Sequence, residues 1–457
     1  MEKRKHRPFT LFLCLMLCAF LILGPIYFIE YRWTRNQEPM GNKESQWKGV
    51  ITLWDYPRLD ITNGTRYGWI TSKIKAFERA NPGVYIELKA MDWTKGPIEL
   101  ETAIRTETYP DIAPVGSDYS IITQNVLEPL DDYLSVEELN NYKTHAISAV
   151  RYNGKIWGVP WMMTTYTMFL NLDLFNEKGV RPPQNGNWTY DEFVETLKAL
   201  TYDKDGDGKV DVFGFHSFIG LNNYNSWGIL LADGAELFSE DGKSYCFNDE
   251  RAASGLKKLT DLKLEHKVTP ENFGENSEQE AWELFSRQKK VAVYPTGTWA
   301  INVLNDLRLQ GEGFELGVAN YPVGEKGVPV PMSKSISAYG IFKQQDTEKM
   351  KMCMKFLKFI TQDKYQMELY RLGVFPVKKS IGEIYKNDRV MGVIENSLAY
   401  TYGIPANPHW LTIDGLIQSQ IRQVLLEQKT VDEALRDAET KINLFMNAQE
   451  KINNREE

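Results

Sequence analysis

Asp203, Asp205, Asp207, Lys209 and Asp211 occupy positions 1, 3, 5, 7 and 9 of the run Asp-Lys-Asp-Gly-Asp-Gly-Lys-Val-Asp. Carboxylates at positions 1, 3, 5 and 9, a backbone carbonyl at 7 and a glycine at 6 are the order in which a calcium loop presents oxygens to a hard cation. Position 12 is Gly214, so the bidentate carboxylate of a complete loop is missing. The run therefore predicts a structural Ca2+ site and no catalytic cofactor. A second constellation is spread along the chain. Asp55 and Asp118 can be set as a carboxylate pair across a cleft, the arrangement of glycoside hydrolysis, or can accept hydrogen bonds from sugar hydroxyls. Trp54, Trp161, Trp227, Trp299 and Trp410 offer flat apolar faces that suit the C–H face of a pyranose, and Ser117 and Thr298 offer hydroxyls beside them. Trp157 reads as core. No GxSxG, HExxH or GxxxxGK[ST] is present, and His145, His216, His266 and His409 have no partner at metal-ligand spacing. These residues alone leave binding and hydrolysis both open.

These residues need elements to hold them. The organising stretch is Val291 to Trp299, VAVYPTGTW. Its first three residues read as a buried strand, and Tyr294 and Trp299 flank a Pro-Thr-Gly turn. Small residues there let backbone approach a partner, and the rings form a wall. Upstream, GVITLW (49–54) reads as a strand, 69–79 as a helix ended by Asn81-Pro82-Gly83, and 84–90 as a second strand with alternating Val84, Ile86 and Leu88. A helix over 98–106 and a strand over 110–115 follow. This alternation predicts an α/β fold with a mostly parallel sheet, and ligands of such sheets sit at the carboxyl ends of the strands. That rule places Trp54, Asp55, Ser117 and Asp118 on one rim. Asn153-Gly154 predicts a hairpin turn, and Thr189 with Glu192 a helix-starting capping box. The first crossing into a second domain is placed within 161–177, and helices are expected over 248–260, 281–286, 349–360, 364–372 and 431–446.

The 457 residues are enough for two cores, and the formal charge of −8 with no basic stripe argues against nucleic acid as a partner. Lys3, Arg4, Lys5 and Arg7 precede an uncharged run over residues 11–29. As a helix this run spans about 28 Å, close to a hydrocarbon core, and its basic flank is expected to stay cytoplasmic. The first expectation is an uncleaved membrane anchor that leaves the body at the extracellular face. A cleaved signal or lipidation at Cys14 or Cys18 are the alternatives. Cys246 and Cys353 read as two isolated thiols.

Eight pieces in order over residues 49–375 carry a resemblance: ITLWDYP, AFERANPGVYIEL, YPDIAPVGS, NGKIWGVP, FLNLDLFNEKGVRPP, TYDKDGDGKVDVFGF, KKVAVYPTGTWA and MKFLKFITQDKYQ. In these the chain resembles the extracellular solute-binding proteins of bacterial ABC importers, in the group that carries sugars and oligosaccharides. The resemblance implies a two-lobed periplasmic-binding-protein-like fold that closes on its solute about a hinge. It implies a sugar or oligosaccharide ligand and the permease subunits of an importer as partners. It places FLNLDLFNEKG at the lobe crossing and VAVYPTGTWA on a loop facing the cleft. The expected division is residues 1–29 anchor or signal, 30–47 tether, 48–165 with 291–342 the first lobe, and 166–290 with 343–450 the second. The chain departs from the family in lacking a clean lipobox. That departure keeps a membrane-attached carbohydrate sensor as an alternative to transport, and the acidic rim keeps a hydrolase as another.

Overall fold

The computed structural model describes residues 47–116, 119–240, 242–334 and 336–456. The amino-terminal anchor, nearly all of the tether, and the predicted rim residues Ser117 and Asp118 lie outside the described residues. Among those described, no helix is long and apolar enough to cross a membrane. Gly49–Glu457 form one compact unit.

Nine strands make two sheets. They are β1 (Gly49–Asp55), β2 (Val84–Ala90), β3 (Ile112–Pro114), β4 (Val159–Met163), β5 (Tyr166–Asn171), β6 (Phe213–Phe215), β7 (Val291–Gly297), β8 (Leu316–Ala319) and β9 (Ile336–Ile341). The first sheet runs β2-β1-β3-β9-β4 and the second β8-β5-β7-β6. In the first, β1 pairs in parallel with β2 and β3, while β9 is antiparallel to β3 and β4. The alternation that marks β1 is physical: Ile51 and Leu53 are fully buried, while Val50 between β-ladder neighbours faces out. Trp69, Ile70, Ile74 and Phe77 form the buried face of α1 (Gly68–Ala80), and Asn81 ends it by donating from Nδ2 to the Phe77 carbonyl at 2.8 Å. Phe77 meets Phe356 and Phe359 edge-on at 5.2 and 5.4 Å, which fixes the helix Thr347–Ile360 on the same lobe. The second core gathers Phe193, Phe215, Trp227, Phe247 and Trp410. It also takes buried faces from the helices Glu250–Leu264, Trp410–Leu425 and Val431–Glu456.

The predicted capping box is formed: the Thr189 hydroxyl accepts the Glu192 N–H and the Glu192 carboxylate accepts the Thr189 N–H. The Asn153-Gly154 turn joins two short strands, both residues having positive φ as a tight hairpin requires. Three chain segments cross between the sheets. Thr164 and Thr165 separate β4 from β5, and Met332–Ser333 and Tyr402–Gly403 pair in parallel beside them. The Thr165 and Thr401 hydroxyls are 2.8 Å apart and buried.

The lobe boundaries depart from expectation in two places. The organising stretch belongs to the second sheet, since β7 pairs with β5 and β6, so residues 291–331 are not part of the first lobe. The helix over 347–360, expected in the second lobe, packs in the first. A strand buried on both faces suits either sheet, and only its partners decide which. The Pro-Thr-Gly segment is also no turn: Pro295, Thr296 and Gly297 continue the strand and pair with Met168, Thr167 and Tyr166.

Candidate functional site

Parallel strands β1 and β2 end together, and their carboxyl ends build one wall. Asp55, the last residue of β1, is buried. Arg58 Nη1 donates to Asp55 Oδ1 at 2.9 Å and to the Tyr56 carbonyl at 3.1 Å. The guanidinium lies 5.0 Å from the Trp161 ring and 5.6 Å from the Trp93 ring, a cation held between two indoles. Burial opposes its charge, but the neighbouring Asp55 carboxylate holds it protonated and its pKa is raised. Above it Tyr56 stacks on Trp93, ring centres 4.2 Å apart and planes within 8°. Gly96 makes room for that stack, since a Cβ there would sit 2.9 Å from the Tyr56 ring. Trp93 leaves 57% of its surface exposed, so a flat apolar face is presented beside a fixed cation.

A second candidate wall is the carboxyl end of the parallel pair β6 and β7. Gly297 is followed by Thr298, whose N–H donates to the Thr165 carbonyl at 3.0 Å, and by Trp299. A Cβ at Gly297 would lie 2.5 Å from the indole nitrogen of Trp299, so only glycine lets the ring fold back over the strand end. Trp299 is 48% exposed and lies 5.8 Å from the half-buried Trp282. The loop after β6 is clamped beside them. The Asn222 N–H donates to Asp414 Oδ2 at 2.6 Å, and Gln418 Nε2 donates to Asp414 Oδ1 at 3.2 Å and to the Asn223 carbonyl at 2.9 Å. Asn223 Nδ2 donates to Glu278 Oε1 at 3.2 Å. Burial raises both acids, Asp414 to about 6. The buried His216, at the end of β6, is pushed down to about 4 by burial and is neutral near pH 7.

The two walls meet where Asn302 Nδ2 donates to the carbonyl of Leu59, the residue after Arg58, at 3.3 Å. At the chain crossings a cavity of about 250 Å³ is lined by Tyr119, His145, Met163, Lys334, Thr401 and Gly403. A larger hollow of about 460 Å³ lies behind the first sheet, against Phe77, Lys355 and Phe359, away from the strand ends.

Of the predicted binding residues, Asp55 ends β1 on the first of these surfaces, and Trp299 stands half-exposed on the second. Ser117 and Asp118 lie outside the described residues, and the remaining ones do not offer a free face. Trp54 points to the opposite face of β1, where the Lys89 ammonium covers its ring at 3.7 Å. Trp161 is core, stacked on Trp69 at 5.0 Å and on Tyr339 at 5.6 Å, and acts only as the floor beneath Arg58. Trp227 and Trp410 are buried in the second core, with Trp410 Nε1 donating to the Tyr224 hydroxyl at 3.0 Å. The Thr298 side chain is wholly buried. Sequence reasoning missed Tyr56, Arg58, Trp93, Trp282 and Glu278. Trp93 follows the end of β2 by three residues, so the strand-end rule applied to β2 would have found it.

The acidic loop leads directly into the amino end of β6, opposite the strand end that carries the wall, and is closed by pairing of Tyr202 with Val212. Carboxylate oxygens of Asp203, Asp205 and Asp211 lie within 4.8 Å of one another. Asp203 accepts the N–H groups of Gly206 and Gly208, each at 2.7 Å, and Asp211 Oδ2 accepts that of Lys204 at 2.9 Å. Asp207 is outside the triad, its Oδ1 accepting the Lys209 N–H at 2.8 Å. Cys246 and Cys353 are free thiols.

Residues 73–390 match the family model of the bacterial extracellular solute-binding proteins. A binding protein of Brucella abortus is 24% identical over 390 residues, covering 81% of this chain and 88% of the relative. Among solved structures, an ABC substrate-binding protein of Listeria monocytogenes in complex with cycloalternan superposes with a TM-score of 0.73 at 21% identity, covering 88% of this chain and all of that one. The maltose/maltodextrin-binding domain of Bdellovibrio bacteriovorus bound to maltotriose gives 0.72 at 18% identity, covering 87% of this chain and all of that one. At these identities the superpositions establish the two-lobed fold.

Proposed function

The chain belongs to the bacterial extracellular solute-binding proteins, and from that premise we propose that it binds a sugar or oligosaccharide between its two lobes and hands it to an ABC importer without changing it. The observation that carries this reading is the pair of half-exposed indoles, Trp93 and Trp299, beside strand ends of the two sheets. Rings of this kind pack on the C–H face of a pyranose, while the fixed polar groups between them suit hydroxyls. Arg58 and the amides of the 222–225 loop are such groups. Names of similar proteins support the same class, since the Listeria and Bdellovibrio structures hold cycloalternan and maltotriose.

Absence of chemistry is argued from the acids. Asp55 is committed to Arg58 at 2.9 Å and sits beneath the ring stack, so it is poorly placed to exchange a proton with a glycosidic oxygen. Glu278 and Asp414 are spent on holding the 222–225 loop. Location outside the cytoplasm follows from the family. Attachment through residues 1–29 remains our proposal, motivated by the uncharged run over 11–29. For the acidic loop we propose a structural Ca2+ held by Asp203, Asp205 and Asp211; added calcium should raise the melting temperature and EGTA reverse it, with both effects lost in D203N/D211N.

The direct test is calorimetry of the full chain against maltotriose, cycloalternan and N,N′-diacetylchitobiose, with reducing sugar assayed in the same samples. Micromolar binding of at least one without release of reducing ends is expected. Steady release of reducing sugar would overturn the non-catalytic reading, and no binding across a wide carbohydrate panel would overturn the solute class.

A further inference from the structure

Asn302 lies in the helix Ala300–Leu309, which joins β7 to β8 of the second sheet, yet its side chain is buried against the first lobe. Its Nδ2 donates to two carbonyls from separate segments, Leu59 at 3.3 Å and Arg371 at 3.1 Å. Both acceptors are fixed. Leu59 directly follows Arg58 of the first wall. The Arg371 carbonyl also accepts the Ile61 N–H at 3.1 Å. The Arg371 guanidinium is tied to Asp60 and, at 3.0 Å, to Glu368, which in turn pairs with the buried Lys73. Gly373 keeps the surface flush: with φ at +67° it lies where a Cβ would come 2.7 Å from the Ile301 side chain and 3.3 Å from Asn302 Oδ1.

We propose that Asn302 is a positioning residue for solute binding, a two-pronged pin that sets the distance between the Arg58 wall and the Trp299 wall. The proposal rests on the binding reading above. Trp299 precedes Asn302 by three residues, one helical turn, so the pin and the exposed indole move as one piece. Any swing about the crossings that carries Trp299 away from Arg58 stretches both bonds. A primary amide suits the task because it brings two N–H groups to two carbonyl oxygens. Alanine removes both donors, and aspartate sets a carboxylate against two carbonyls. Neither change touches Trp93, Arg58 or Trp299.

The experiment measures the wall-to-wall distance directly. Spin labels are placed on the full chain at T94C and Q279C, both at exposed positions, in a C14S/C18S/C246S background that leaves only the buried Cys353. N302A should lengthen and broaden the solute-free distance distribution, N302D should do so further, and N302S, which keeps one donor, should fall between wild type and N302A. With maltotriose as probe, N302A should dissociate about tenfold faster, the effect of losing two ordinary hydrogen bonds in part, with association little changed. If N302D does not fold by circular dichroism, N302A and N302S carry the test. Unchanged distances in folded N302A and N302S overturn the proposal. If wild type binds no sugar while N302A still shifts the labels, the pin stands and the solute class falls.

Discussion

The two walls of the cleft are held by opposite means. On the first, a full charge pair does the holding: Arg58 and Asp55 lie three residues apart, braced between Trp93 and Trp161. On the second, the holding groups are Glu278 and Asp414, far apart in the chain and both raised by burial, which satisfy amide N–H groups of one loop. A wall built from one local segment and a permanent cation keeps its shape across pH. A wall that leans on a buried acid, Asp414, depends on its protonation and on three elements docking together. The comparison predicts that damage to the first wall is felt as stability, and that the second responds to pH.

The largest effect is expected for Arg58→Ala. It strands a buried Asp55 carboxylate, and breaking such a pair costs about 3–5 kcal/mol. Urea unfolding should show it as a lower midpoint, with Arg58→Lys recovering part. A loss below about 1 kcal/mol would mean the first wall is not held by charge.

Next comes the pH response. With its pKa at about 6 in the fold against 3.8 unfolded, Asp414 binds its proton more tightly when folded. Its contribution is therefore full below pH 4 and is lost as pH rises toward 6, a change of about 2–3 kcal/mol. Asp414→Asn should flatten the pH dependence of the melting temperature between pH 4 and 7. An unaltered slope in that variant would remove the contrast between the walls.

Removal of either exposed ring should cost binding and spare the fold. Trp93→Ala and Trp299→Ala should each weaken sugar binding by about 1–2 kcal/mol, about five- to thirty-fold, with unfolding midpoints near wild type. If one ring matters and the other does not, solute rests on one lobe, and closure about it is not driven by both.

The smallest effect sharpens the boundary of the site. Lys89 covers Trp54 at 3.7 Å, an exposed cation–π contact worth about 0.5–1 kcal/mol. Lys89→Ala should lower stability by that amount and leave calorimetric affinity unchanged. A change in affinity would bring Trp54 back into the site.

What the sequence determined by itself is whatever a few neighbouring residues enforce. The period of Trp69, Ile70, Ile74 and Phe77, the Thr189–Glu192 cap, the Asn153-Gly154 turn and the alternation in β1 and β2 are all local, and each formed where the spacing placed it. The strand-end rule placed Asp55 at the carboxyl end of β1, where it is, but could not tell it from Trp54 one residue earlier, whose ring lies under Lys89. Tertiary structure decided the rest. Five tryptophans look alike in a sequence, yet Trp161, Trp227 and Trp410 are core, Trp54 is capped and Trp299 half-exposed, because burial depends on what packs over a ring. VAVYPTGTW is apolar on both faces, so nothing within it selects a sheet; pairing with β5 and β6 does. The second wall is the extreme case. Asn222, Glu278, Trp299 and Asp414 span almost two hundred residues, and no spacing rule joins groups whose only link is that three elements pack around one loop.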